Sequence, residues 1–137
     1  MTNAEVNICG YNIVRADRNR SGGGVCTYIR SDIAFSSRSD LHNNKLEAAW
    51  TEILLPRSKP IVIGSVYRPP KQADFLDLLQ ETLQKIDPEN ELYIFGDPNI
   101  CLLTHRKLNK KYSNMLNMYH LKQIINEPTR VTINSLY

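Results

Sequence analysis

Ile61-Val62-Ile63-Gly64-Ser65-Val66-Tyr67-Arg68-Pro69-Pro70, with Leu92-Tyr93-Ile94-Phe95-Gly96-Asp97-Pro98-Asn99-Ile100 following it, sets the architecture of this chain. In each stretch an apolar run stops at polar groups that cannot continue a buried strand. The first run is nearly continuous, the pattern of a central strand covered on both faces. At the exit of the second, Asp97 and Asn99 stand two residues apart, so both side chains can aim at one point. Between the stretches, Phe75, Leu78, Leu79, Leu83 and Ile86 recur at helical spacing and form one apolar stripe. Asp74 is placed to cap that helix, and Asp87-Pro88 to end it.

Working outward, Leu46 to Leu55 reads as a strand with Trp50 as its largest core group. The turn Pro56-Arg57-Ser58-Lys59-Pro60 makes it a hairpin with the strand from Ile61 to Tyr67. Val25 to Ile29 and Ile33 to Ser36 read as strands, and Val6 to Val14 as a weaker one. Gly22-Gly23-Gly24 permits positive φ. It lacks the Lys-Ser/Thr ending of a phosphate-binding P-loop, and no helical pattern follows it. A second helix is expected from Lys110 to His120, and an extended tail from Gln123 to Thr132. The pattern alone gives an α/β (α+β) chain with a mixed sheet, in a single domain over residues 1–137.

The bulk properties narrow the function. The chain has 137 residues, ordinary globular composition and a net charge of +3, which permits a nucleic-acid partner without requiring one. Arg15, Arg18 and Arg20 precede the glycine run. His105, Arg106, Lys107, Lys110 and Lys111 follow the second loop. Each cluster reads as a phosphate-binding flank or as a solvated face. No apolar run reaches membrane-spanning length, so no membrane partner is expected. Met1 to Gly10 lacks the layout of a secretory signal. Cys9, Cys26 and Cys101 are odd in number and lack metal-ligand spacing. They point to a reducing, intracellular setting, nucleus or cytoplasm, with Cys26 as a small buried hydrophobe in its strand.

The Gly96-Asp97-x-Asn99 signature and Val66-Tyr67-Arg68-Pro69-Pro70 resemble the endonuclease/exonuclease/phosphatase family. Within it, they resemble the endonuclease domain of non-LTR (LINE-type) retrotransposons. Further similarity lies in Ser21 to Arg30, in Trp50-Thr51-Glu52-Ile53 and in Glu127-Pro128-Thr129-Arg130-Val131-Thr132. The order agrees from about Gly10 to Thr132. The resemblance implies a four-layer α/β/β/α sandwich. It also implies magnesium-dependent hydrolysis of DNA phosphodiesters, a nick that primes reverse transcription.

By the same resemblance, Asp97 orients or deprotonates the attacking water, and Asn99 holds a phosphate oxygen. Tyr67 donates its hydroxyl to another phosphate oxygen, and Thr132 lies near the phosphate. Arg68 is a substrate-binding candidate, with an exposed arginine capping a strand as the alternative. Gly96-Asp97-Pro98-Asn99 is also an ordinary turn sequence. Glu52 reads as a sheet-face residue, and His42, His105 and His120 as surface or packing residues.

The comparison also marks differences. The family's early strands carry an Asn and the main metal-binding Glu, its last strands carry an Asp-His pair, and an aromatic usually stands where Pro98 does. None of these features has a match here. The expectation is therefore an incomplete domain: a partial sandwich, lacking the principal carboxylate ligand for Mg2+. It would be weak or inactive alone, with exposed sheet edges that a further polypeptide could complete. The alternative is a non-catalytic module that binds nucleic acid.

Overall fold

The computed structural model describes residues 4–18, 23–100, 107–127, 131–132 and 135–136. Strands β1 (Tyr11–Asp17) and β2 (Gly24–Arg30) form an antiparallel pair. β3 (Phe35–Ser37), β4 (Glu47–Ile53), β5 (Ile61–Tyr67) and β6 (Glu91–Asp97) form a second sheet in that order. Its first two junctions are antiparallel and β5–β6 is parallel. Helix α1 (Phe75–Leu83) makes the crossover between the parallel strands, and α2 (Lys107–Met118) packs beside it. A short hairpin, β7 (Val131–Thr132) and β8 (Ser135–Leu136), comes last.

Side chains alternate across a strand, so the four-stranded sheet has two distinct faces. One face carries Ala48, Trp50, Val62 and Val66, which bury against Phe75, Leu76, Leu79 and Leu83 of α1 and Met115 of α2. Val62 is fully buried, as its central position requires. The opposite face carries Glu47, Ser65 and Tyr67 and meets the β1–β2 pair, with the Thr27 and Ser65 hydroxyls 2.7 Å apart. The described residues thus form three layers, α/β/β, within the α+β class expected.

The hairpin of β4 and β5 forms with Glu47 opposite Tyr67 and Trp50 opposite Gly64. Gly64 leaves room for the indole: a Cβ there would lie 2.4 Å from Trp50 Cζ3. The Trp50 ring is buried, and its Nε1 has no hydrogen-bond partner. Packing, not hydrogen bonding, therefore fixes it. Gly64→Ala is expected to cost about 1–3 kcal/mol by overpacking, read as a lower urea midpoint at unchanged slope.

Several local expectations change. Cys26 is exposed, not buried, because its side chain leaves β2 on the face that does not meet β5's Ser65. Asp74 stands at the N-cap of α1 but makes no side-chain cap bond, and Leu78 N–H bonds the Asp74 carbonyl instead. Of the weak strand expected from Val6 to Val14, Tyr11 to Val14 lie in β1, whereas Ala4–Val6 form a 3-10 turn, tied to β2 by Tyr28 Oη donating to the Val6 carbonyl at 2.6 Å. Residues 121–126 of the tail expected to be extended carry no regular secondary structure. Gly23 and Gly24 have positive φ; Gly22 lies outside the described residues. No described helix is long and apolar enough to cross a membrane.

Candidate functional site

A parallel strand pair delivers both its loops at the carboxyl ends, and a crevice there is the usual ligand position in such sheets. The β5–β6 register places Tyr67 directly opposite Asp97. An open cleft of about 280 Å³ lies at this end, lined by Gly24–Cys26, Ser65–Tyr67 and Phe95–Asp97. The β1–β2 pair therefore forms one wall, through β2, and the ends of β5 and β6 form the other.

Three backbone and side-chain contacts shape the loop after Asp97. Arg68 N–H donates to the Asp97 carbonyl at 3.0 Å, extending the ladder one residue beyond the strand. Asp97 Oδ1 accepts from Asn99 N–H at 2.9 Å, which closes an Asx turn. Asn99 itself has φ of 49°, a left-handed conformation that Asn tolerates better than most residues. Its Nδ2 donates to the Arg68 carbonyl at 2.7 Å. The turn chemistry of Asp-Pro-Asn and the site reading of Asp97 thus coexist.

Arg68 is buried, only 7% exposed, not the exposed strand cap considered from sequence. Its Nε donates to the Gln72 carbonyl at 3.0 Å, and its Nη1 reaches the carbonyls of Asn99 at 3.1 Å and Pro98 at 3.5 Å. The guanidinium joins the loop after β5 to the loop after β6. Of the five residues singled out from sequence, Tyr67 and Asp97 line the cleft. Arg68 and Asn99 bond each other's loops just behind it. Thr132 lies in the β7–β8 hairpin, and its side chain is outside the described residues.

Two further residues stand at this site: Glu47, not named from sequence, and Arg18, named there only within a basic cluster. Arg18 stands over the Tyr67 ring, 5.4 Å from its centroid. Its Nε and Nη2 donate to the two carboxylate oxygens of Glu47 at 2.6 and 3.0 Å. Donation to Glu47 holds the Arg18 guanidinium above its ordinary range. One signal was available: the β4–β5 hairpin register puts Glu47 across from Tyr67. The contact with Arg18 spans 29 residues, and no local pattern announces it.

A hard cation needs several oxygens, at least one or two of them carboxylates. Among the described residues, no group of three or more His, Cys, Asp or Glu side chains could hold a metal. Among the described residues Asp97 is the one carboxylate lining the cleft, and Glu47 nearby is committed to Arg18. The residues described here do not fit a magnesium ion held by protein ligands alone.

The arrangement is a two-sheet α/β fold with an open cleft at the carboxyl ends of its parallel strands. The fold is similar to that of the endonuclease domain of TRAS1, a telomere-specific non-LTR retrotransposon. The likeness has a TM-score of 0.74 at 16% identity and covers 89% of this chain. This chain spans 59% of the length of that structure. No protein-family model matches the chain, and no curated protein matches it.

Proposed function

We propose that this chain is a portion of a retrotransposon-type DNA endonuclease domain, one whose cleft engages a DNA phosphate. The observation that carries this is the pairing of Tyr67 with Asp97 across two parallel strands, in a cleft at their carboxyl ends. A tyrosine hydroxyl is a neutral donor to a phosphate oxygen. A carboxylate beside it accepts from water and can orient a nucleophile. The Arg68 and Asn99 contacts keep the Asp97 loop at a fixed height above the sheet.

Cleavage by this isolated chain is weak or absent. Phosphodiester hydrolysis requires neutralising the charge that grows on phosphorus. The described cleft offers one hydroxyl and one carboxylate for this, with no converging set of metal ligands. That same observation favours a second reading, a module of this fold that binds nucleic acid without cutting it.

Purified chain, shown to be folded, is to be incubated with supercoiled plasmid and magnesium beside an Asp97→Ala control. Nicking at or near background is expected from both. Vigorous nicking lost in the control would contradict the weak-activity assignment. DNA binding in the same samples is expected to weaken as salt rises, since counterions are released from phosphate. Tyr67→Phe is expected to lose about 1–2 kcal/mol of binding, roughly tenfold, by removing one hydrogen bond to a charged acceptor. Binding indifferent to salt would remove phosphate engagement from both readings.

A further inference from the structure

We infer that Arg18 is a positioning residue for Tyr67, and that Glu47 masks its charge so that it does not act as a phosphate ligand. The inference rests on the phosphate-binding reading of the cleft for its consequence, but its geometry stands apart. An arginine beside a candidate phosphate site is ordinarily read as an anion contact. Here the Nε–Nη2 edge of the guanidinium is already taken and its charge is balanced by Glu47. Both oxygens of Glu47 accept from it, at 2.6 and 3.0 Å, in the bidentate geometry that matches a carboxylate. The Glu47 side chain is 14% exposed, so the pair is only partly screened by solvent.

The same guanidinium also stands over the Tyr67 ring at 5.4 Å, within the range of cation–π attraction. Glu47 and Tyr67 are partners in the β4–β5 register, so the carboxylate that holds Arg18 and the ring beneath it are fixed by the same pair of hydrogen-bonded strands. The turn entering β2 keeps Arg18 in place from the other side: Arg18 N–H reaches the Gly23 carbonyl at 3.4 Å. A Cβ on Gly23 would approach the Arg18 guanidinium carbon to 2.9 Å. Two segments distant in sequence, Arg18 with Gly23 and the start of β4 at Glu47, therefore meet beside one tyrosine at the mouth of the cleft.

The arrangement makes opposite demands on two substitutions. Removing Arg18 frees Tyr67 but takes away no phosphate contact. Removing the charge of Glu47 releases a cation beside the cleft. A phosphate ligand would behave in the reverse way.

The experiment combines ring NMR of chain labelled with 13C in its tyrosines and salt titrations of binding to a short DNA duplex. Tyr67 signals are assigned by their loss in Tyr67→Phe. Arg18→Ala and Arg18→Lys are both expected to move the Tyr67 ring signals and speed the ring's flipping, because lysine keeps the charge but not the planar fork. In the titrations, Arg18→Ala lowers affinity without changing the salt slope. Glu47→Gln steepens the slope by about 0.9, the value of one added phosphate contact. Tyr67 signals unmoved by Arg18→Ala would overturn the inference. So would a slope made shallower by about 0.9 in that variant, which is the signature of a lost phosphate ligand. If the unsubstituted chain does not bind DNA, the phosphate-binding reading falls, and the ring signals alone decide the role of Arg18. Arg18 is partly exposed and outside the core, so its variants keep the fold.

Discussion

Gly96→Ala is expected to remove about 3–5 kcal/mol of stability, a large share of what a domain this size possesses. Gly96 has φ of 143°, a conformation that side-chain-bearing residues rarely adopt, and such strain alone costs about 1–3 kcal/mol. The added Cβ would fall 1.7 Å from the Val66 carbonyl oxygen. That oxygen belongs to β5, the central strand, and Val66 is the direct register partner of Gly96. No flexible side chain can give way, so the strands must part at the point where they deliver Tyr67 and Asp97. The contrast with Gly64 is instructive, because there the obstacle is a side chain, the Trp50 ring. Urea unfolding of the two variants beside the unsubstituted chain checks the ranking. A Gly96→Ala midpoint within experimental scatter of the unsubstituted chain would show that the strand exit is not built this tightly.

Arg68→Ala is expected to cost about 2–4 kcal/mol and to loosen the Asp97 loop. The side chain is buried and bonds carbonyls on both sides of the cleft's base, at Gln72, Pro98 and Asn99. A hydrogen bond from a charged donor contributes about 1.5–3 kcal/mol, and its removal leaves the acceptors short of a partner. Arg68→Lys does not restore the loss, since one ammonium cannot span both loops as the planar fork does. Amide hydrogen exchange should show faster exchange at Asn99 and Ile100 in both variants, alongside the lower midpoint. A lysine variant with unsubstituted stability and protection would mean that Arg68 acts only as a charge.

The parts of this fold that were legible in sequence are those set by local periodicity. The stripe from Phe75 to Leu83 gave α1, and the alternation around Trp50 with the turn at Pro56 to Pro60 gave the β4–β5 hairpin. Tyr67 and Asp97 were brought to one phosphate by the resemblance; that each ends an apolar strand does not make the two strands neighbours, which is a matter of register. The rest depended on contacts distant along the chain. Cys26 sits in an apolar strand, yet β2 has only one covered face at that point, so the thiol is exposed. Nothing near Arg68 announces that Pro98 and Asn99, about thirty positions on, supply the carbonyls that bury it. Tyr93 and Phe95 read as buried strand residues, but β6 is the last strand of its sheet among the described residues, and both rings stand exposed, stacked 6.5 Å apart. Apolar character in a strand predicts that a face wants cover, not that the described chain provides it.

The cleft between β2 and the ends of β5 and β6 is proposed as the place where this protein meets a DNA phosphate. An NMR titration of 15N-labelled chain with a short DNA duplex tests it most directly. The account predicts shifts concentrated at Gly24–Cys26, Ser65–Tyr67 and Phe95–Asp97, fading as salt is raised. Shifts confined to Lys107, Lys110 and Lys111 on α2, or none at concentrations well above those where weak non-specific binding saturates, would contradict it.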